Sequence, residues 1–201
     1  MSERLWAPWR LPYIKNAQHP TAAPAPVAER PLLAGGDTNC FFCRDVVDHE
    51  QDRQNLVVHR GSGLIVILNR FPYNNGHVLV APQRHLADLE QLDRPLRAAC
   101  MDMLARLVGA LQRLVNAEGF NIGLNLGRVA GAGVPGHLHW HVVPRWNGDS
   151  NFMPVLSDTR VVSQALDAMW ELLAPELTGA APDNSTCGDS TSDDAAASSP
   201  A

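Results

Sequence analysis

Residues 137–143 read His137-Leu138-His139-Trp140-His141-Val142-Val143. Polar and apolar residues alternate, the period of an extended strand, on which successive side chains point to opposite faces. The three imidazoles therefore share one face, and Leu138, Trp140 and Val142 point into a core. The motif uses three of the eight histidines in the chain. A plain polar outer face and a three-histidine zinc site both fit the alternation. The preceding loop, Gly127–Gly136 (GRVAGAGVPG), favours a third reading. Its glycine-rich backbone can expose N–H groups to an anion, and a neutral imidazole beside a bound phosphate is a competent nucleophile toward phosphorus.

Outward from this stretch, short β-branched runs at Asn55–His59 and Leu64–Leu68 predict strands joined by a turn at Gly61–Gly63. A third strand is expected at His77–Ala81, stopped by Pro82. Asp93 has the character of a helix N-cap, with Pro95 in the first turn. Leu96, Cys100, Met103, Leu107, Leu111 and Leu114 then recur at helical spacing up to Gly119. Asn121–Leu126 predicts a strand, His137–Val143 the last one, and a second amphipathic helix is expected near Asp158–Leu173. Strands joined by short connections, with one long and one C-terminal helix, define an α+β fold on a mainly antiparallel sheet of about five strands.

The chain has 201 residues, of which 45% are hydrophobic and 18% charged, with a net charge of -5. These values suit one domain with tails and offer no basic face for nucleic acid. No apolar run approaches the ~18 residues of a membrane span, and the N-terminus lacks a signal-peptide core. A cytoplasmic location is expected, with reduced thiols. Three segments are anticipated: an aromatic arm and Pro/Ala-rich linker over 1–39, a folded domain over 40–178, and a small, polar tail over 179–201 that cannot order itself.

HLHWHVV matches the His-x-His-x-His-x-x motif of the histidine triad (HIT) superfamily. The flanking LNRFPYNNGHVLVAPQRH and GFNIGLNLG also resemble that family, over about residues 40–147. RLWAPWRLPYI and PRWNGDSNF make the chain similar to the branch of bacterial diadenosine tetraphosphate phosphorylases. The resemblance implies a HIT-like fold and a homodimer, with His139 as nucleophile and His141 orienting the nucleotidyl phosphate. It makes His77 a further active-site histidine, Asn69 a ribose contact and Asn125 a phosphate-site residue; Ile65, Ile67 and Leu68 either wall the base or are plain core. In one respect the chain departs from the hydrolytic branches: Gly133 and Val134 stand where those branches carry Gln or Ser against the leaving group. Gly133 is thereby a backbone contact to the nucleotide, and inorganic phosphate becomes a possible acceptor in place of water.

Cys40-Phe41-Phe42-Cys43 is a C-x-x-C pair, a common start to a tetrahedral zinc site. Two reduced cysteines in a turn are the plain alternative, and no thioredoxin-like context supports a redox dithiol. The resemblance supplies His85 and His137 as the remaining ligands of a structural zinc; His49 and His59 are rivals for those places. No organic cofactor is implied.

The sequence thus predicts a nucleotidyl transferase or phosphorylase acting on dinucleoside polyphosphates through a covalent nucleotidyl-histidine. A HIT hydrolase of dinucleoside polyphosphates or phosphoramidates, and a non-catalytic nucleotide-binding adaptor, stay open. Neither nucleic acid nor membrane is an expected partner.

Overall fold

The computed structural model describes residues 31–149 and 164–179. In chain order these residues form α1 (Phe41–Val47), β1 (Val57–Gly61), β2 (Leu64–Leu68), β3 (Val78–Pro82), α2 (Arg94–Val115), β4 (Gly119–Leu124), β5 (Trp140–Arg145) and α3 (Leu166–Thr178). The five strands make one antiparallel sheet in the order β1-β2-β3-β5-β4. The expected α+β architecture is present.

Directly opposed residues in an antiparallel pair share a face, so the register sorts the sheet into two sides. His59, Val66, Val80 and Trp140 lie on one side, as do Val78 and Val142. The helices α2 and α3 cover this side: His59 Nδ1 donates to the carbonyl of Leu177, and Trp170 Nε1 donates to that of Val57. Arg60, Ile65, Ala81, Ile67, Leu79, His141 and Gly123 lie on the other side. There α1 is fastened by the Arg60 guanidinium, which donates to the carbonyl of Val46 at 3.0 Å and to Asp52. Strand β2 is covered on both sides, which is why all five of its residues are apolar and buried. Ile65, Ile67 and Leu68 are all buried, and Leu68 faces the helices rather than the histidine side.

The long helix begins where Asp93 accepts from the Leu96 N–H at 2.9 Å, with Pro95 in its first turn. It buries Leu96, Cys100, Met103, Leu104, Leu107 and Leu111 as one stripe. It stops at Asn116 rather than at Gly119. Asn116 takes the left-handed conformation that asparagine tolerates, and Gly119 opens β4. Helix α3 runs from Leu166 to Thr178, later than the expected Asp158–Leu173, and residues 158–163 lie outside the described set. So do most of the proposed arm and all of the tail beyond Gly179, including Cys187. Helix α1 was not anticipated: it has seven residues and no side-chain N-cap, too little pattern to register as a period.

Strand β5 also starts later than expected, at Trp140, and the cause is Pro82. Pairing of β3 with β5 runs through Val78↔Val142, Leu79↔His141 and Val80↔Trp140 and ends there. Proline has no N–H to continue it. The Leu138 N–H, two residues further along, bonds instead to the carbonyl of Leu86 at 2.6 Å. His137 and His139 thus stand on an extended approach to the strand, outside the ladder.

Candidate active site and metal centre

His139 and His141 lie side by side on the α1 side of the sheet, ring centroids 5.0 Å apart. His77 joins them from the start of β3, 5.2 Å from His141. The alternate residues Leu138, Trp140 and Val142 are buried. His139 and His77 are buried too, and His141 is half-buried.

The hydrogen bonds of this row fix where its protons sit. A carbonyl oxygen can only accept, so the 2.8 Å contact between His139 Nδ1 and the His137 carbonyl puts a hydrogen on Nδ1. The neutral ring then carries its lone pair on Nε2. Burial holds the His139 imidazole below its ordinary pKa, against the opposing pull of that hydrogen bond, which keeps the lone pair available at neutral pH. From the opposite end, the Tyr73 N–H donates to His77 Nδ1 at 3.1 Å, so the proton of His77 lies on Nε2. His77 Nε2 lies 3.0 Å from His141 Nδ1 and donates to it, leaving the His141 proton on Nε2. Two hydrogen-bond runs of opposite sense therefore meet between His139 and His141. The first ring offers a lone pair and the second offers a proton.

Asn69 is tied to this row. Its Oδ1 accepts from the Phe71 N–H at 2.9 Å, and its Nδ2 lies 3.3 Å from His77 Nδ1. Asn125 directly follows β4, whose Gly123 pairs with His141. Gly133 is exposed in the loop between the 3-10 turn Arg128–Ala130 and His137. Arg145 is engaged structurally: it donates to Asp149 Oδ1 at 2.8 Å and to Asn121 Oδ1 at 2.7 Å. Asp149 also accepts from Asn74, so this cluster clamps the end of β5 to the loop before His77. Tyr73 went unnoticed in the sequence, yet its ring lies 4.7 Å from His77 and 5.9 Å from His141, nearly parallel to the latter. An aromatic residue in a turn carries no period to flag it.

The first histidine of the row serves a second cluster. His137 Nε2 donates to the Pro82 carbonyl at 2.8 Å, leaving its Nδ1 lone pair facing Cys40 Sγ at 3.3 Å and Cys43 Sγ at 3.6 Å. His85 Nδ1 lies 3.2 Å from Cys43 Sγ. One ligand atom from each of Cys40, Cys43, His85 and His137 falls within 4.8 Å of all the others, so the group could hold a metal ion. The fit to tetrahedral zinc is direct: Zn–S of about 2.3 Å and Zn–N of about 2.0 Å give S···N edges of about 3.6 Å. The carbonyl partner on the far nitrogen of His137 is the usual second contact of a ligating histidine. Burial raises the Cys40 thiol well above its ordinary value, so ionising it calls for a nearby cation. The rivals fall away: His59 bonds to the Leu177 carbonyl and His49 is exposed. At Gly136 a Cβ would sit 3.2 Å from His85 Nε2, so the His85 ring would have to give by a few tenths of an ångström.

Phe42 joins the two clusters. It is fully buried, with its ring centroid 4.9 Å from His137 and 5.2 Å from His139. As a spacer of the C-x-x-C turn, it carries the packing of the thiol pair onto the rings of both histidines.

The chain is similar to known proteins of one family. A model of the HIT domain matches residues 50–148. The AP-4-A phosphorylase of Mycobacterium tuberculosis (strain CDC 1551 / Oshkosh) is 36% identical over 174 residues, covering 87% of this chain and 84% of its own. Among solved structures, a Zn-bound histidine triad family protein from Mycobacterium smegmatis superposes with a TM-score of 0.57 at 30% identity, over 71% of this chain and 96% of that one. A hypothetical histidine triad nucleotide-binding protein from Sulfolobus tokodaii strain7 shares the fold, with a TM-score of 0.54 at 22% identity over 68% and 92% of the two chains.

Proposed function

Because the chain belongs to the HIT domain family, we propose that it is a nucleotidyl transferase of the phosphorylase type that cleaves dinucleoside polyphosphates such as diadenosine tetraphosphate. The observation that carries this reading is the opposed proton order of His139 and His141.

His139 Nε2 attacks the α-phosphorus. A P–N bond forms as the bond from that phosphorus to its bridging oxygen breaks, and the leaving nucleotide takes the electron pair. The proton on His141 Nε2 neutralises the departing oxygen. The His137 carbonyl, already bonded to His139 Nδ1–H, steadies the positive charge on the substituted imidazole. Inorganic phosphate then attacks the same phosphorus and returns a proton to His141. The P–N bond breaks toward His139, releasing a nucleoside diphosphate. Backbone N–H groups around Gly133 and the amide of Asn125 cradle the phosphates, and Asn69 meets the ribose. The loop residues Ala132, Gly133 and Val134 offer no side-chain group to position water, which favours phosphate as acceptor.

Zinc bound by Cys40, Cys43, His85 and His137 would supply a cross-link and keep the thiols ionised. The chain's own residues carry the steps above. The edge strand β4 leaves Ile122 and, just past its end, Leu126 exposed, which supports a homodimer joined at that edge. Among the described residues no helix is long and apolar enough to cross a membrane. Free Cys40 and Cys43 suit a reducing, cytoplasmic setting.

Diadenosine tetraphosphate incubated with and without inorganic phosphate tests the assignment. ADP should appear only with phosphate, and an acid-labile adenylyl group should be trapped on His139. AMP formed at the same rate in both samples would make the protein a hydrolase. Tight nucleotide binding with neither product nor adduct would make it an adaptor.

A further inference from the structure

The loop from Asn69 to His77 is fastened at almost every step. The Phe71 N–H bonds to Asn69 Oδ1, the Tyr73 N–H to His77 Nδ1, the His77 N–H to the Asn74 carbonyl, and Asn74 Nδ2 to the Pro144 carbonyl and Asp149. A loop held this firmly still turns two aromatic rings outward: Phe71 is 60% exposed and Tyr73 is 40% exposed. Their position decides what they can serve. Tyr73 lies over His141, centroids 5.9 Å apart and planes 16° apart. His141 carries the proton that meets the leaving oxygen, so the departing chain of phosphates passes Tyr73. Phe71 stands two residues away, within about 7 Å along the backbone.

We propose that Phe71 and Tyr73 form a stacking platform for the second nucleobase of a substrate bearing two nucleosides, the base that leaves with the polyphosphate. This rests on the nucleotidyl-transfer reading and deepens it by naming how the enzyme tells two-nucleoside substrates from those with one. Aromatic faces bind bases without regard to hydrogen-bonding edge, so the platform tolerates different second bases. Ring planes presented by a rigid loop lose little conformational entropy on binding. Tyr73 also contacts His77 and His141, so Phe71 is the cleaner probe.

The test uses the full-length, zinc-loaded protein with inorganic phosphate as acceptor. It compares diadenosine tetraphosphate with adenosine 5′-tetraphosphate, which has the same phosphate chain and no second base. In the wild type, kcat/KM should favour the two-nucleoside substrate. Phe71→Ala should cut that preference about tenfold, equivalent to about 1.4 kcal/mol, mainly through KM. Phe71→Trp should restore it. An unaltered preference in Phe71→Ala, or equal losses on both substrates, overturns the platform while leaving nucleotidyl transfer intact. A change in sedimentation behaviour in place of a change in preference would assign the rings to a protein interface and overturn it too. If the wild type forms no nucleotidyl-histidine from either compound, the parent reading fails and the platform falls with it.

Discussion

Replacing Phe42 by alanine measures how far the metal centre and the nucleophile depend on each other. The ring is fully buried and packs against Phe41, His137 and His139. Removing about 150 Å² of apolar surface at about 25 cal/mol per Å² gives a loss near 4 kcal/mol. This lies within the ~3–5 kcal/mol range of buried Phe→Ala replacements. For a folded unit of this size, at about 2–4 °C per kcal/mol, Tm should fall by roughly 8–16 °C. The loss should also depend on zinc. With Cys40 and Cys43 held by a metal, the turn cannot collapse into the cavity and the full loss is expected. With the metal chelated the turn can relax, and the difference between wild type and variant should shrink. Thermal unfolding of both proteins, each loaded and stripped, closes the four-way cycle. A fall under about 4 °C, or one that is the same with and without zinc, would refute the claim that this ring transmits order from the thiol pair to the histidines.

His139→Ala should abolish turnover while retaining nucleotide binding by calorimetry. Residual turnover within about tenfold of wild type, only ~1.4 kcal/mol of barrier, would remove the nucleophile. Metal analysis should give about one zinc per chain, falling to near zero in Cys43→Ala. Gly136→Ala should weaken zinc retention against a competing chelator, because its Cβ would press on His85 at 3.2 Å; unchanged retention would show that His85 has room to move. Burial and the neighbouring Arg106 lower the pKa of His59 in the folded state, against 6.5 unfolded. Below pH 6.5 the unfolded chain binds this proton first, so stability should drop as pH falls from 6.5 toward the folded pKa. The drop should be smaller in His59→Gln, as read from urea midpoints.

The long helix was legible from its periodic buried face, and β2 and β3 from short, continuous apolar runs bounded by turn residues. Of the metal group, Cys40 and Cys43 were legible as a C-x-x-C pair, whereas His85 and His137 came from the resemblance, since His49 and His59 are chemically the same. Boundaries were less readable. The start of β5 depends on Pro82 in another strand, and the end of α2 on a left-handed Asn116, neither of which a local pattern reveals. Helix α1 is held by Arg60 and by its packing rather than by its own propensity, so it left no trace. The clamp of Arg145 on Asp149 and Asn121 joins segments distant in sequence, which no local pattern reveals. Tyr73 could be found only once the fold had brought its turn back beside His141.

His139 and His77 are each ordered by a main-chain atom, the His137 carbonyl for the first and the Tyr73 amide for the second. Substituting the side chains around them leaves these two orders in place, whereas His141 takes its order through the His77 ring and would lose it with that ring. The division of labour between the two central rings therefore starts on the backbone at both sites and reaches His141 through one further ring, so it should outlast drift in the surrounding side chains for as long as His77 is kept. At residue 73 proline would erase the amide that starts one of the two runs, and the Asn69 Nδ2 contact would remain as the other partner of His77 Nδ1.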